Sequence, residues 1–298
     1  MEKVIMVVGP TAVGKSGLGI QLAQKFQGEI ISGDSMQVYR HLDIGTAKVF
    51  PAEMAGIPHH LLNIRNVDES FSAYDFQQAA TQLVDEIAGR GHVPIVVGGT
   101  GFYLRMFWLG WTLGHERHTD DEDTALDDAA AWTQLHQKDP VAAAKIPVTN
   151  RRRVDRALAV IAATGHLFSD QGDTLQPAMD ALFIGLHTDR QQLYTRINQR
   201  VTQMITAGLE GEARWLYAHD GTQVAAGKGI GYREWWPYFA GERTKAEVVE
   251  RIQADSRHYA KRQLTYFRHQ LPVQWFDLLN DPNAAANIDQ AVTDFLAK

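Results

Sequence analysis

The chain has 298 residues, 45% hydrophobic and 21% charged, enough for a sheet domain with a buried core and a smaller second unit. It contains no cysteine, which excludes a disulfide scaffold, a thiolate zinc site and a cysteine nucleophile. A formal net charge of −6 argues against indiscriminate nucleic-acid binding, and no apolar run reaches the ~18–20 residues that cross a bilayer.

Residues 4–8 form an unbroken apolar run ending at Gly9, the pattern of a parallel strand buried on both faces. A helix is expected from near Gly14, with Leu18, Leu22 and Phe26 on one face and Gln27-Gly28 ending it. A second strand at 29–32 leads into Gly33-Asp34-Ser35. Ser72 and Asp75 read as a capping pair for a helix that buries Phe76, Ala80, Leu83 and Ile87. A further strand at 94–97 runs into Gly98-Gly99-Thr100-Gly101. Strands alternating with helices predict an α/β fold, a doubly wound parallel sheet whose ligands bind beyond the carboxyl ends of the strands.

After Trp111 the character changes. Residues 112–150 carry no strand pattern, and seven acids (Glu116, Asp120, Asp121, Glu122, Asp123, Asp127 and Asp128) crowd into one stretch. A helix is expected at 151–164 with Val154, Leu158 and Ile161 on its apolar side and Gly165 after it. A strand returns at 181–186, followed by helices in which Leu193, Ile197 and Val201 form one stripe and Arg196 and Arg200 another. The expected organisation is a core at 1–111 and 179–298 with a helical insertion domain at 112–178. Basic residues concentrate at Arg151, Arg152, Arg153 and Arg156, and again at Arg251, Arg257, Lys261, Arg262 and Arg268. Such stripes let an acidic protein meet a polyanion locally. Met1-Glu2-Lys3 and the short run after it make no secretory signal, so a cytoplasmic location is expected.

The strongest local motif is Gly9-Pro10-Thr11-Ala12-Val13-Gly14-Lys15-Ser16, which matches GxxxxGK[ST] between a strand and a helix. Its glycines let backbone N–H groups turn inward around a diphosphate at the positive end of the helix. Lys15 would neutralise phosphate oxygens and the Ser16 hydroxyl would coordinate Mg²⁺. This leaves nucleotide hydrolases, small-molecule kinases and other diphosphate users open. Asp34 suits either a proton acceptor beside the phosphate cradle or a plain Asx-turn. Arg196 and Arg200 suit either a diphosphate contact or a solvated stripe. His59 and His60 are adjacent and show no metal-ligand spacing. The aromatic run Trp235-Trp236-Pro237-Tyr238-Phe239 reads as helix packing before base stacking.

Taken together, the segments GPTAVGKS (9–16), ISGDSMQVYRHLDIGTAK (31–48), PHHLL (58–62) and PIVVGGTGFYLR (94–105) resemble bacterial tRNA dimethylallyltransferases. So do RRRVDRALAV (151–160), GIGYREWW (229–236) and YAKRQLTYFR (259–268), in the same order along the chain. The resemblance implies a P-loop that holds the diphosphate of dimethylallyl diphosphate, with Mg²⁺, in place of ATP. It implies Asp34 as general base toward the adenine N6 amine, Thr100 at the reacting centre and Lys15 on the departing diphosphate. Asp34, Ser35, Met36, Gln37 and Thr100 would meet the acceptor base of the tRNA anticodon stem-loop. Arg152, Arg153 and Arg156, within the insertion domain, would meet the tRNA backbone, and the enzyme would act as a monomer away from membranes. The sequence departs from the family in Ser16, where threonine is common, and in the acidic stretch that follows residue 105 in place of a proline-rich one. An ATP-dependent small-molecule kinase and a catalytically silent RNA-binding protein are the competing readings.

Overall fold

The computed structural model describes residues 2–110, 126–170 and 176–298. It divides into two compact units, Met1–Gly110 with Pro177–Lys298, and Trp111–Gln176.

In chain order the first unit begins with β1 (Lys3–Val8), α1 (Lys15–Lys25), β2 (Gly28–Ser32), β3 (His59–His60), α2 (Ala73–Gly89), β4 (Val93–Gly98) and α3 (Gly101–Leu109). The second unit supplies α4 (Asp128–Lys138), α5 (Pro140–Lys145) and α6 (Arg151–Thr164). The first unit resumes with β5 (Asp180–Leu186), α7 (Arg190–Thr206), α8 (Leu209–Ala218), α9 (Trp236–Phe239), α10 (Lys245–Gln270), β6 (Gln274–Phe276) and α11 (Ala284–Ala297). The strands form one sheet in the order β3-β2-β4-β1-β5-β6, parallel at every pairing.

β1 explains why this sheet is buried on both faces. Val4, Met6 and Val8 join one core with Phe76 and Ala80 of α2 and Phe107 of α3. Ile5 and Val7 join another with Leu18 and Leu22 of α1 and Ile288 and Val292 of α11. A period of two along a strand divides an unbroken apolar run between two helical layers. α2 has the expected capping box: Asp75 N–H donates to Ser72 Oγ at 3.2 Å, and Ser72 N–H donates to Asp75 Oδ2 at 2.8 Å. Its buried stripe is Phe76, Ala80, Val84 and Ile87, with Val84 in the place expected for Leu83, which is half-buried against the same core. Trp235 is buried in that core, so this member of the aromatic run packs the helices.

β3, which the sequence did not announce, is two residues long and pairs Ile30 with His59 and Ile31 with His60. It brings His60 onto Glu29, a buried carboxylate in β2. Glu29 accepts from His60 Nε2 at 2.7 Å, His92 Nδ1 at 2.7 Å and Arg90 Nη2 at 2.8 Å. Burial pushes the Glu29 carboxyl up, but the hydrogen bonds from Arg90, His60 and His92 outweigh it and hold it at about 2, against 4.5 ordinarily. A depressed carboxyl contributes stability that is present above about pH 4.5 and lost as pH falls toward 2. Glu29→Gln should therefore cost roughly 3 kcal/mol at pH 7 and much less near pH 2.5. Urea denaturation at the two pH values checks this; an equal loss at both would contradict the linkage.

The second unit has its own core of Ala131, Leu135, Ala142, Ala143, Ile146, Val154 and Ala157. Asp139, fully buried, caps α5 through Ala142 N–H at 2.9 Å and accepts Ser169 N–H at 2.7 Å. α6 has the expected bounds, with Gly165 in the left-handed conformation after it at φ 70°. Of the seven acids in the stretch, those between 116 and 123 lie outside the described residues; Asp127 caps α4 and Asp128 begins it. No helix among the described residues is long and apolar enough to cross a membrane.

Candidate active site

β2, β4 and β1 are neighbours in the sheet, so the loops that follow their carboxyl ends are neighbours too. The loop after β1 carries Gly9, Pro10, Thr11, Ala12 and Val13, with Gly9 and Gly14 at φ 142° and 108°. Val13 turns into the core, while Thr11, Lys15 and Ser16 line a cavity. Ser32, Asp34 and Gln37 line it from the β2 side, and Gly98 and Gly99 from the β4 side. Arg200 of α7 and Tyr259 and Gln263 of α10 also line it, as do His59, Thr46 and Ala47.

The first loop is braced from α7. Arg196 Nε donates to the Ala12 carbonyl at 2.9 Å, and Arg200 Nη1 lies 3.4 Å from Thr11 Oγ1. Lys15 Nζ donates to the Pro10 carbonyl at 2.7 Å. Burial pushes the Lys15 ammonium down to about 7, and the Arg200 charge lowers it further while Asp34 opposes the fall. Arg200 is itself lowered by burial, with Asp34 again opposing. Arg200, with Lys15 while it keeps its proton below about pH 7, outnumbers the single carboxylate in this partly desolvated cavity, a positive excess that an anionic ligand would relieve.

Asp34 makes the turn that its sequence context allowed. Its Oδ1 accepts the Met36 backbone N–H at 2.8 Å, which is an Asx-turn. The carboxylate also lines the cavity within electrostatic reach of Lys15 and Arg200. Burial raises its pKa against the backbone hydrogen bonds and the two cations, so it is a stronger base than an exposed aspartate.

Thr100 stands at the N-terminus of α3, where its Oγ1 accepts Ser35 N–H at 3.2 Å and lies 3.4 Å from Ser35 Oγ. Tyr259 lines the cavity from α10, and burial and then the charge of Asp34 push its phenol up to about 12. The approach of the second and third loops is set by backbone: a Cβ on Gly98 would run into the Gly33 carbonyl oxygen. Ser35 and Met36 are half-buried beside this contact. Gln37 is engaged within the protein, its Oε1 accepting Ser32 Oγ–H at 2.8 Å and its Nε2 facing the carbonyls of Thr46 at 3.2 Å and Ala47 at 3.4 Å. The loop at 43–45 is held in turn by Glu212, which accepts the N–H groups of Asp43, Ile44 and Gly45 at 2.8–2.9 Å.

In the second unit, Arg151 bonds to Asp155 at 2.6 Å and to the Leu126 carbonyl at 2.6 Å. Arg152 and Arg153 of the same helix are exposed, and Arg156 is half-buried with an Nε that has no hydrogen-bond partner. Burial and the neighbouring Arg152 lower the Arg156 guanidinium.

Gln263, Tyr259 and Arg200 are lining residues whose roles were not fixed by sequence reasoning. Tyr259 and Gln263 lie four apart, one face of one helix, and that spacing was the available signal. No cluster of three or more histidine or acidic side chains able to hold a metal occurs among the described residues. Mg²⁺ commonly needs only one or two protein ligands when phosphate oxygens supply the rest. The Ser16 hydroxyl at the first turn of α1, facing the cavity, fits that mode.

The IPP transferase family model matches residues 37–270. The tRNA dimethylallyltransferase of Lactiplantibacillus plantarum is 51% identical over 305 residues, covering 99% of this chain and 98% of its own. That of Limosilactobacillus fermentum is 52% identical over 310 residues, with both chains covered in full. The crystal structure of the tRNA isopentenylpyrophosphate transferase from Bacillus halodurans aligns with TM-score 0.78 at 41% identity, covering 100% of this chain and 97% of that one. A eukaryotic dimethylallyltransferase acting on tRNA aligns with TM-score 0.89 at 29% identity, covering 100% of this chain and 80% of that one. With the family model spanning most of the chain and relatives of about half-identical sequence matching it end to end, the chain belongs to the IPP transferase family of tRNA dimethylallyltransferases.

Proposed function

We propose that the protein transfers the dimethylallyl group of dimethylallyl diphosphate to N6 of the adenosine immediately 3′ to the anticodon, in tRNAs that read codons beginning with U. The observation that carries this reading is the cavity itself, where Lys15 and Arg200 face Asp34 and the Gly98–Gly99 turn leads into Thr100. The allylic C–O bond breaks, the N6 lone pair forms the new C–N bond, Asp34 takes the amine proton, and diphosphate departs. Negative charge grows on the leaving oxygen as the bond breaks, and Lys15, Arg200 and the N–H groups of the first loop stabilise it in place. Asp34 matters because the N6 lone pair is delocalised into the ring, so the amine attacks productively only as its proton is removed. Ser16 would hold Mg²⁺ with the donor's diphosphate oxygens, where the ion would add to charge neutralisation on the leaving group.

The acceptor base leaves the anticodon-loop stack to reach the cavity, at lower cost than from a duplex. Asp34, Ser35, Met36, Gln37 and Thr100 form its receiving edge, and Gln37 exchanges bonds to Thr46 and Ala47 for bonds to the base. We infer further that the enzyme works as a monomer in the cytoplasm.

Incubation of unmodified tRNA with the protein, Mg²⁺ and dimethylallyl diphosphate, followed by nucleoside mass spectrometry, tests the reaction. An adenosine heavier by one isoprenyl unit is expected. Phosphorylation of a small acceptor by ATP with no change in tRNA would overturn the proposal.

The insertion unit meets tRNA phosphates through α6. Replacing Arg153 and Arg156 by Gln should reduce the slope of log affinity for tRNA against log salt by up to about two units, roughly 0.7 to 0.9 for each phosphate no longer neutralised. Filter binding between low and moderate salt measures it; an unchanged slope would make these arginines a solvated face.

A further inference from the structure

Gln263 is buried in α10 with both ends of its amide committed. Its Oε1 accepts the Thr11 backbone N–H at 2.9 Å, and its Nε2 donates to the Gly99 carbonyl at 2.9 Å. These backbone groups belong to different loops, the one reserved for diphosphate and the one that leads into Thr100. A backbone donor and a backbone acceptor facing one side chain require an acceptor and a donor at fixed separation, which a carboxamide supplies and a carboxylate or hydrocarbon does not. Tyr259, one turn earlier on α10, lines the same cavity. The approach is close: a Cβ at residue 99 would meet Gln263 Nε2, and the amide would have to shift to admit it. The same turn is seated through Gly98 on Gly33, directly before Asp34.

We propose that Gln263 is a positioning residue whose amide sets the separation between the diphosphate loop and the Thr100 loop, and with it the approach of acceptor amine to donor carbon. The proposal rests on the transfer reaction described above. Each loop can hold its own substrate without the amide, so the loss belongs to the chemical step. A displacement of about 1 Å between reacting groups is worth about 10²-fold in rate.

Single-turnover transfer and equilibrium binding of donor and tRNA test this on Gln263→Leu and Gln263→Glu. The rate at saturating substrates should fall about 10- to 100-fold, while both dissociation constants stay within about threefold. Gly99→Ala, which drives a methyl into the amide, should show the same pattern. Adding Gly99→Ala to Gln263→Ala should cost nothing further, since the clashing partner is gone. A loss confined to donor affinity, or multiplicative losses in the double variant, would overturn the proposal. Amide hydrogen exchange gives a readout free of the reaction: Gln263→Leu should speed exchange about tenfold in residues 9–16 and 98–101 together, leaving β1 unchanged. Absence of transfer by the unmutated protein would remove the reaction reading, whereas exchange that changes in one loop only, or in neither, would remove the coupling by Gln263.

Discussion

Asp34→Asn should slow single-turnover isoprenyl transfer about 10²- to 10⁴-fold, roughly 3 to 5 kcal/mol of barrier, with little change in binding of tRNA or donor. The amide can still accept the Met36 N–H, so the Asx-turn and the fold survive the substitution. What it lacks is basicity: burial raises the Asp34 carboxyl toward the range where it can hold a proton from the amine, and an amide has no such equilibrium. The measurement is the rate with enzyme in excess over tRNA and saturating donor. A loss below about tenfold in folded protein would leave Asp34 as a turn residue alone.

Lys15→Met should lower the transfer rate about 10²- to 10³-fold, the usual cost of one preorganised charge-stabilising donor, and weaken the donor while sparing tRNA affinity. Its pH dependence has a definite sign. Lys15 in the free protein loses its proton near 7, because burial and Arg200 disfavour the charge. A bound diphosphate favours that charge, so donor affinity should weaken as pH rises above about 7, by up to tenfold per pH unit. The donor's own ionisation contributes equally to both proteins, so the difference between wild type and Lys15→Met isolates the lysine. Stability moves the other way. The unfolded chain keeps this proton up to about 10.5, so Lys15 opposes folding at neutral pH and Lys15→Met should raise Tm there. Donor affinity that falls identically with pH in both proteins would assign the titration elsewhere.

Features set by neighbours in sequence were legible from sequence. The strand, glycine loop and helix at 3–25 follow from one apolar run and a local phosphate-loop pattern, and the ends of α2 and α6 follow from Ser72, Asp75 and Gly165. β3 and β6 were not legible, since strands of two and three residues have no periodicity and exist only because a longer strand offers an edge. Val84 and Leu83 illustrate the same limit, where helix rotation decides which of two adjacent apolar residues faces the core. At the site, Lys15, Ser16 and Asp34 announce themselves through their loops. Gln263 shows locally only as a member of the 259–268 segment, four residues from Tyr259, whereas the meeting of residues 11, 99 and 263 is produced by how α10 packs. Arg196 and Arg200 were visible as a pair, but only the structure separates the one that braces loop backbone from the one that lines the cavity.

The strand order also governs how the chain emerges from the ribosome. β1 to β4 are complete within the first 98 residues and can pair at once, yet the other edge of β1 is reserved for β5, which begins at Asp180. About 80 residues, including the whole inserted unit, are made in between. At ordinary elongation rates β1, a central strand of the finished sheet, therefore stands as an edge strand with one side unpaired for roughly 4 to 16 s. Such an edge is a template for pairing with another chain, so this interval, and not the finished protein, is where chaperone demand and aggregation during expression should concentrate. Nascent chains arrested near residue 176 should be far more prone to aggregation than chains arrested beyond β6.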